Sequence, residues 1–140
     1  MSKQLTWDDN KMASGFDNID SSHRFIVNSI NIIQDAIRKN RSNEIIEKLF
    51  EALGEHINIH FKEEEEILKK SGRLSQSHIN EHQDFKLQIK SLRKRFKSNK
   101  TQKASEIISE ELLRYIIEWV KHHLFKTDLP ALKNCSNERN

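Results

Sequence analysis

The apolar positions of this chain fall into four runs with helical spacing. The first spans about Asp20 to Lys39, where Ile26, Val27, Ile30, Ile33 and Ile37 recur every three or four residues. Asp20 stands at its start as an N-cap candidate, and Asn40, Arg41, Ser42 and Asn43 break the pattern. The second spans about Asn43 to Lys70, with Ile46, Phe50, Leu53, Ile57, His60, Glu64 and Ile67 inward. Its steps alternate between four and three, as a bundle helix requires, and Gly72 supplies a stop. The third, about Ser75 to Lys97, carries His78, His82, Phe85, Ile89, Leu92 and Phe96 on one stripe. The fourth, about Ala104 to Lys126, turns Ile108, Leu112, Leu113, Ile116, Trp119, Val120 and His123 inward. Pro130 is expected to forbid its continuation.

The connections between these runs are roughly four to seven residues, which makes sequential helices antiparallel. The pattern therefore predicts an all-α fold, an up-down-up-down antiparallel four-helix bundle over residues 19–128. An irregular N-terminal arm (1–18) precedes it and a tail (129–140) follows, within one domain. Composition agrees: 140 residues suit a single domain, and 3 Gly and 1 Pro are too few for a many-stranded β protein.

Net charge changes the picture little. It is +3, with 24 Lys and Arg interspersed among 21 Asp and Glu. One basic cluster stands out at Lys90, Arg93, Lys94, Arg95, Lys97, Lys100 and Lys103. It reads first as a solvated helix end whose cations complement the C-terminal dipole, and second as an anion, nucleic-acid or partner surface. No nucleic-acid motif accompanies it, so no nucleic-acid partner is expected. The one cysteine, Cys135, permits no intrachain disulfide and reads as an exposed bystander. The opening MSKQLTWDDN lacks the apolar core of a signal peptide, and no segment reaches the ~20 apolar residues of a membrane span. A cytoplasmic monomer without membrane contact is the expectation.

The informative positions are those where the stripes stop being apolar. His60 and Glu64 interrupt the second, His78 and His82 the third, and His123 the fourth, while His23 extends the first backward from Ile26 and Ile30. Burying so many ionisable groups without partners costs several kcal/mol each, and imidazoles with carboxylates facing one cavity suggest a metal. Each spacing is weak evidence alone. Together they sit at matching heights: the start of the first and third helices, the latter half of the second and the end of the fourth share one end of an up-down-up-down bundle.

At this point the sequence resembles the hemerythrin family, in particular its small single-domain bacterial members. The arm and first helix read W-D-D…G-F-D-N-I-D-S-S-H, with Trp7, Gly15, Ile19, Asp20 and His23 in place. The second helix carries H-F-K-E-E-E, the third H-I-N-E-H and the fourth W-V-K-H-H-L-F-K-T-D. The resemblance runs from Trp7 to Asp128 and implies two iron ions, Fe2+ or Fe3+, joined by an oxo or hydroxo bridge. It implies that His78, His82 and His123 bind one iron, that His23 and His60 bind the other, and that Glu64 and Asp128 bridge them. The second iron then keeps one position open for dioxygen. Phe61, Trp119, Val120 and Leu124 are placed to line that pocket with apolar surface. His56 and His122 are left to the surface or to indirect contacts; the His-x4-Asp spacing to Asp128 favours His123 over His122. The chain departs from the family pattern at Ser22, often Gln; at Val120, commonly Leu; and at Leu129 and Pro130, where an aromatic residue often follows.

The function implied is reversible dioxygen binding, as carrier, store or buffer, rather than enzymatic turnover. Two other classes use the same metals: a scavenger or oxidoreductase acting on peroxide or nitric oxide, and an oxygen or iron sensor working through a separate partner.

Overall fold

The computed structural model describes residues 12–133. Trp7 and Cys135 lie outside them. Four helices follow one another: α1 (Asp17–Arg38), α2 (Ser42–Lys70), α3 (Gln76–Ser98) and α4 (Gln102–Trp119), the last running on as a π-helical segment, Val120–Asp128. No strand occurs among the described residues. The helices form a four-helix bundle in which α1 packs on α2 and α4, and α3 packs on α2 and α4.

Local chemistry sets each boundary. Ser75 and Thr101 cap α3 and α4, their hydroxyls accepting the amides of His78 (3.0 Å) and Ala104 (3.2 Å). Asn40 (φ 56°) and Gly72 (φ 70°) take the left-handed conformation that ends α1 and α2. At Gly72 the amide donates to Lys69 O (3.1 Å), and the next, of Arg73, to Leu68 O (2.8 Å). Asp20 is not the N-cap of α1. The helix begins at Asp17 with Phe16 at the cap position, and the Asp20 carboxylate, inside the first turn, instead accepts the amide of Ser14 at 2.8 Å.

The stripes close into one core containing Ile26, Ile30, Phe50, Leu53, Phe85, Phe96 and Leu112. Ile67 is only half-buried, because Leu68 takes the inward place, packing with Ile19 and Leu132 in a second small cluster. The antiparallel order shows in side chains. Arg95, late in α3, forms a two-bond pair with Glu111 in the middle of α4, at 2.7 and 3.0 Å. Asn43, at the start of α2, meets Ser105, near the start of α4.

The fourth helix departs from expectation twice. It does not stay α-helical to Lys126, but widens at Val120. Nor does Pro130 stop it, since residues 129–133 resume α-helical geometry. Pro130 falls in the first turn of that resumed helix, where a missing N–H and a fixed φ are tolerated. Leu129 and Leu132 are consequently buried. No helix among the described residues is long and apolar enough to cross a membrane.

Candidate metal centre

The bundle brings His23, His60, Glu64, His78, His82, His123 and Asp128 to one end, all of them buried. Their donor atoms form two overlapping groups. One comprises Glu64, His78, His82, His123 and Asp128; the other comprises His23, His60 and Glu64; within each, the atoms lie within 4.8 Å of one another. Glu64 belongs to both. Its Oε1 faces His78 (3.0 Å) and His82 (3.5 Å), while its Oε2 faces His23 (3.4 Å) and His60 (3.2 Å). Asp128 divides in the same way. Its Oδ1 approaches the Nε2 atoms of His78 (2.5 Å) and His123 (2.8 Å), and its Oδ2 that of His23 (3.5 Å).

The π-helical segment is what lets Asp128 join. In an α-helix, residues five apart are separated by about 140° around the axis. The i→i+5 step of a π-helix stacks them on one face. His123 and Asp128 are five apart and both lie within Val120–Asp128, so the widening brings together two candidate donors that an α-helix would split.

The donor set fits a cation. Nε2 of His23, His60, His82 and His123, Oε2 of Glu64 and both oxygens of Asp128 are buried without hydrogen-bond partners. Close approach without hydrogen-bond alignment means that these atoms converge on shared points rather than on each other. Orphaned buried donors of this kind are costly unless something else satisfies them. Five imidazoles with two carboxylates are a donor set suited to a transition metal.

Without such an ion, the charges rearrange around the carboxylates. Burial opposes ionisation of both carboxylates, yet Asp128 and the imidazoles of His23, His60 and His78 hold Glu64 well below the usual carboxylate range. Asp128, opposed also by Glu64, is held low by His123 and His23. Burial likewise opposes protonation of His23, His78 and His82, but Asp128 and Glu64 outweigh it and raise all three. His60 goes the other way, lowered by burial and by the nearby His23.

Two further carboxylates touch the rings from behind. Nδ1–H of His82 donates to Glu65 Oε2 at 2.8 Å, which leaves Nε2 of that ring free to face the cluster. Glu81 Oε2 lies 3.2 Å from Nδ1 of His123. Neither was legible in the sequence: Glu65 is one of four consecutive glutamates, and only the rotation of α2 against α3 picks it out.

The expected pocket residues are buried, and two of them pack on histidine rings of the cluster. Phe61 stacks on His82 with centroids 3.9 Å apart and lies 5.6 Å from His60; Trp119 stacks on His123 at 4.5 Å. Val120 and Leu124 are fully buried beside them in sequence. His56 is exposed and stacks on Phe25. His122 is exposed and pairs with Glu118 at 3.1 Å, so His123 is the inward member of that doublet. His123→Ala is therefore expected to remove or disorder one metal ion, and His122→Ala to leave the metal content unchanged. Elemental analysis of both purified variants checks this. The reverse result would mean that the fourth helix is rotated by about 100° from its described face.

Comparison with known proteins agrees with this geometry. The model of the hemerythrin HHE cation binding domain matches residues 14–132. Bacteriohemerythrin of Pseudomonas paraeruginosa is 28% identical over 125 residues, covering 89% of this chain and 76% of that protein. Bacteriohemerythrin of Methylococcus capsulatus is 24% identical over 125 residues, covering 89% and 91%. No solved structure gives a significant match. With a family match over most of its length and a buried His, Glu and Asp cluster able to hold a metal ion, the chain belongs to the hemerythrin family.

Proposed function

We propose that the protein binds dioxygen reversibly at a pair of iron ions, serving as carrier, store or buffer rather than as an enzyme. The observation that carries this reading is the unequal division of imidazoles around the shared carboxylates. Three of them, His78, His82 and His123, gather on one side and two, His23 and His60, on the other. His78, His82 and His123 would hold one ion, His23 and His60 the second, and Glu64 and Asp128 would bridge. A bound iron pair supplies two electrons that can be lent to dioxygen and recovered.

The chain's own residues set the conditions for that exchange. Glu64 and Asp128 each direct one oxygen to either side, which fixes the spacing of the two positions. Glu65 holds His82 in the tautomer that presents Nε2 inward. Phe61 and Trp119, stacked on His82 and His123, and the buried Val120 and Leu124 would wall the region with apolar surface and limit the entry of water. Imidazoles outnumber carboxylates, so the set donates less charge than the carboxylate-rich sites of ferritin-like bundles, which favours reversible over bond-cleaving chemistry.

The test is anaerobic reduction of the iron-loaded protein, then stopped-flow mixing with dioxygen and separately with peroxide. A stable absorption change that reverses on removing dioxygen is the expected result. Rapid turnover of peroxide without a stable change would replace this reading with the scavenger.

Val120 offers a finer prediction. Leucine adds one methylene to a fully buried position three residues before His123. If Val120 restricts water, Val120→Leu slows the decay of the dioxygen-dependent absorption, with a stability change on the order of 1 kcal/mol. Decay at an equal or faster rate, with metal content intact, would remove Val120 from that role.

A further inference from the structure

Gly54 lies in the interior of α2 with no steric reason to be glycine. A Cβ there would meet only Nη1 of Arg93, at 4.0 Å, an ordinary contact with the end of a flexible side chain. Glycine in a helix interior is destabilising relative to alanine. The position instead opens onto a cavity of about 390 Å³ between α2 and α3. That volume is within the range of small-molecule sites. Its floor is apolar, made by the buried side chains of Phe50, Ile57 and Ile89.

Its rim is cationic. Lys86, Lys90 and Arg93 follow one another at steps of four and three on α3 and so share a face. Among the described residues, no carboxylate lines the cavity. The basic cluster is thus divided by use: Arg95 is paired with Glu111 and Lys100 with Glu47, whereas Lys90 and Arg93 have no ion-pair partner among the described residues. Nε of Arg93 is buried without a hydrogen-bond partner. A buried guanidinium nitrogen lacking an acceptor, above an apolar floor, matches a ligand with an anionic head and a hydrocarbon tail. None of the lining residues belongs to the metal cluster.

We propose that this cavity binds a small amphipathic carboxylate of the medium-chain fatty-acid class. The head is held by Arg93 and Lys90, and the tail lies along Phe50, Ile57 and Ile89 in the space that Gly54 leaves open. A bare anion gains nothing from the floor, and a neutral alkyl chain leaves Arg93 unsatisfied.

The probe is octanoate, titrated calorimetrically into the metal-loaded protein. Saturable binding at one site is expected, with a dissociation constant on the order of 0.1 mM. Acetate and octanol should each bind at least tenfold more weakly. Arg93→Gln should weaken octanoate at least tenfold. Gly54→Leu should abolish binding while thermal stability holds or rises, and metal content should be unchanged in both variants. The visible spectrum of the metals should not respond to octanoate. No saturation by octanoate, acetate binding as tightly, a spectral change marking attack on the metals, or full binding by Gly54→Leu would each overturn the proposal.

Discussion

On the proposed di-iron reading, Glu64→Ala is expected to empty the metal centre, taking iron from about two ions per chain to near zero. The carboxylate is fully buried and stands within 3.5 Å of four imidazoles, those of His23, His60, His78 and His82. It is the one residue common to both donor groups, so its removal weakens both ion positions at once. Glu63 and Glu66, on either side of the Glu64–Glu65 pair, are half-buried and exposed and belong to neither group. Their alanine variants should retain full metal. The metal-free Glu64→Ala protein should also be less stable, because three raised imidazoles lose one of their two counter-charges; breaking such a buried arrangement costs about 3–5 kcal/mol. Elemental analysis and thermal unfolding of the three variants decide the matter. Equal metal retention in all three would mean that the buried face of α2 has been misassigned.

The legibility of this centre from sequence was uneven for physical reasons. His60, Glu64, His78 and His82 lie within regular α-helices, where a stripe of steps of three and four marks the inward face without ambiguity. For them, position in the pattern was enough. Asp128 is different. It falls outside any α-helical stripe that contains His123, and only resemblance to a family pattern linked the two; the π-helical step explains why that link holds in space. Nothing in the composition of VKHHLFKTD announces a widened helix. Pro130 misled for a related reason, since its effect depends on where a new turn begins, which the preceding widening decides. Asp20 misled because a good capping residue can serve equally well inside the first turn, and the Ser14 amide was not known to be near. Glu65 and Arg93 required more still. Their partners, or lack of them, depend on how α2 and α3 are rotated against each other, and one-dimensional spacing does not encode that rotation.

Metal loading is expected to release about three protons per chain near neutral pH, and the metal-free protein to lose stability in alkali. Against the ordinary histidine value of 6.5, burial would lower His23, His78 and His82, but Asp128 and Glu64 bring His23 and His78 to about 9 and His82 to about 10. All three rings are thus protonated at pH 7 in the metal-free protein, and each must lose its proton to present a lone pair to a metal. Because these values are raised in the folded state, their contribution to stability is complete below 6.5 and disappears as pH rises through about 9 to 10. Glu64 and Asp128 are depressed, so their contribution is present above the ordinary 4.5 and 3.8 and is lost as pH falls through their folded values. His60, lowered by burial, withdraws stability as pH falls below 6.5, so the metal-free protein should be most stable at about pH 6 to 6.5. Its melting temperature should fall by on the order of 10 °C between pH 6 and pH 10. The metal-loaded protein should not follow that fall, since its imidazoles are already neutral. Nitrogen-15 NMR of the histidines provides the direct check: three doubly protonated rings at pH 7.5 before loading, and none of these three after it. Neutral rings throughout at pH 7.5, or a metal-free protein equally stable at pH 6 and pH 10, would show that the two carboxylates do not hold the imidazoles as charged partners.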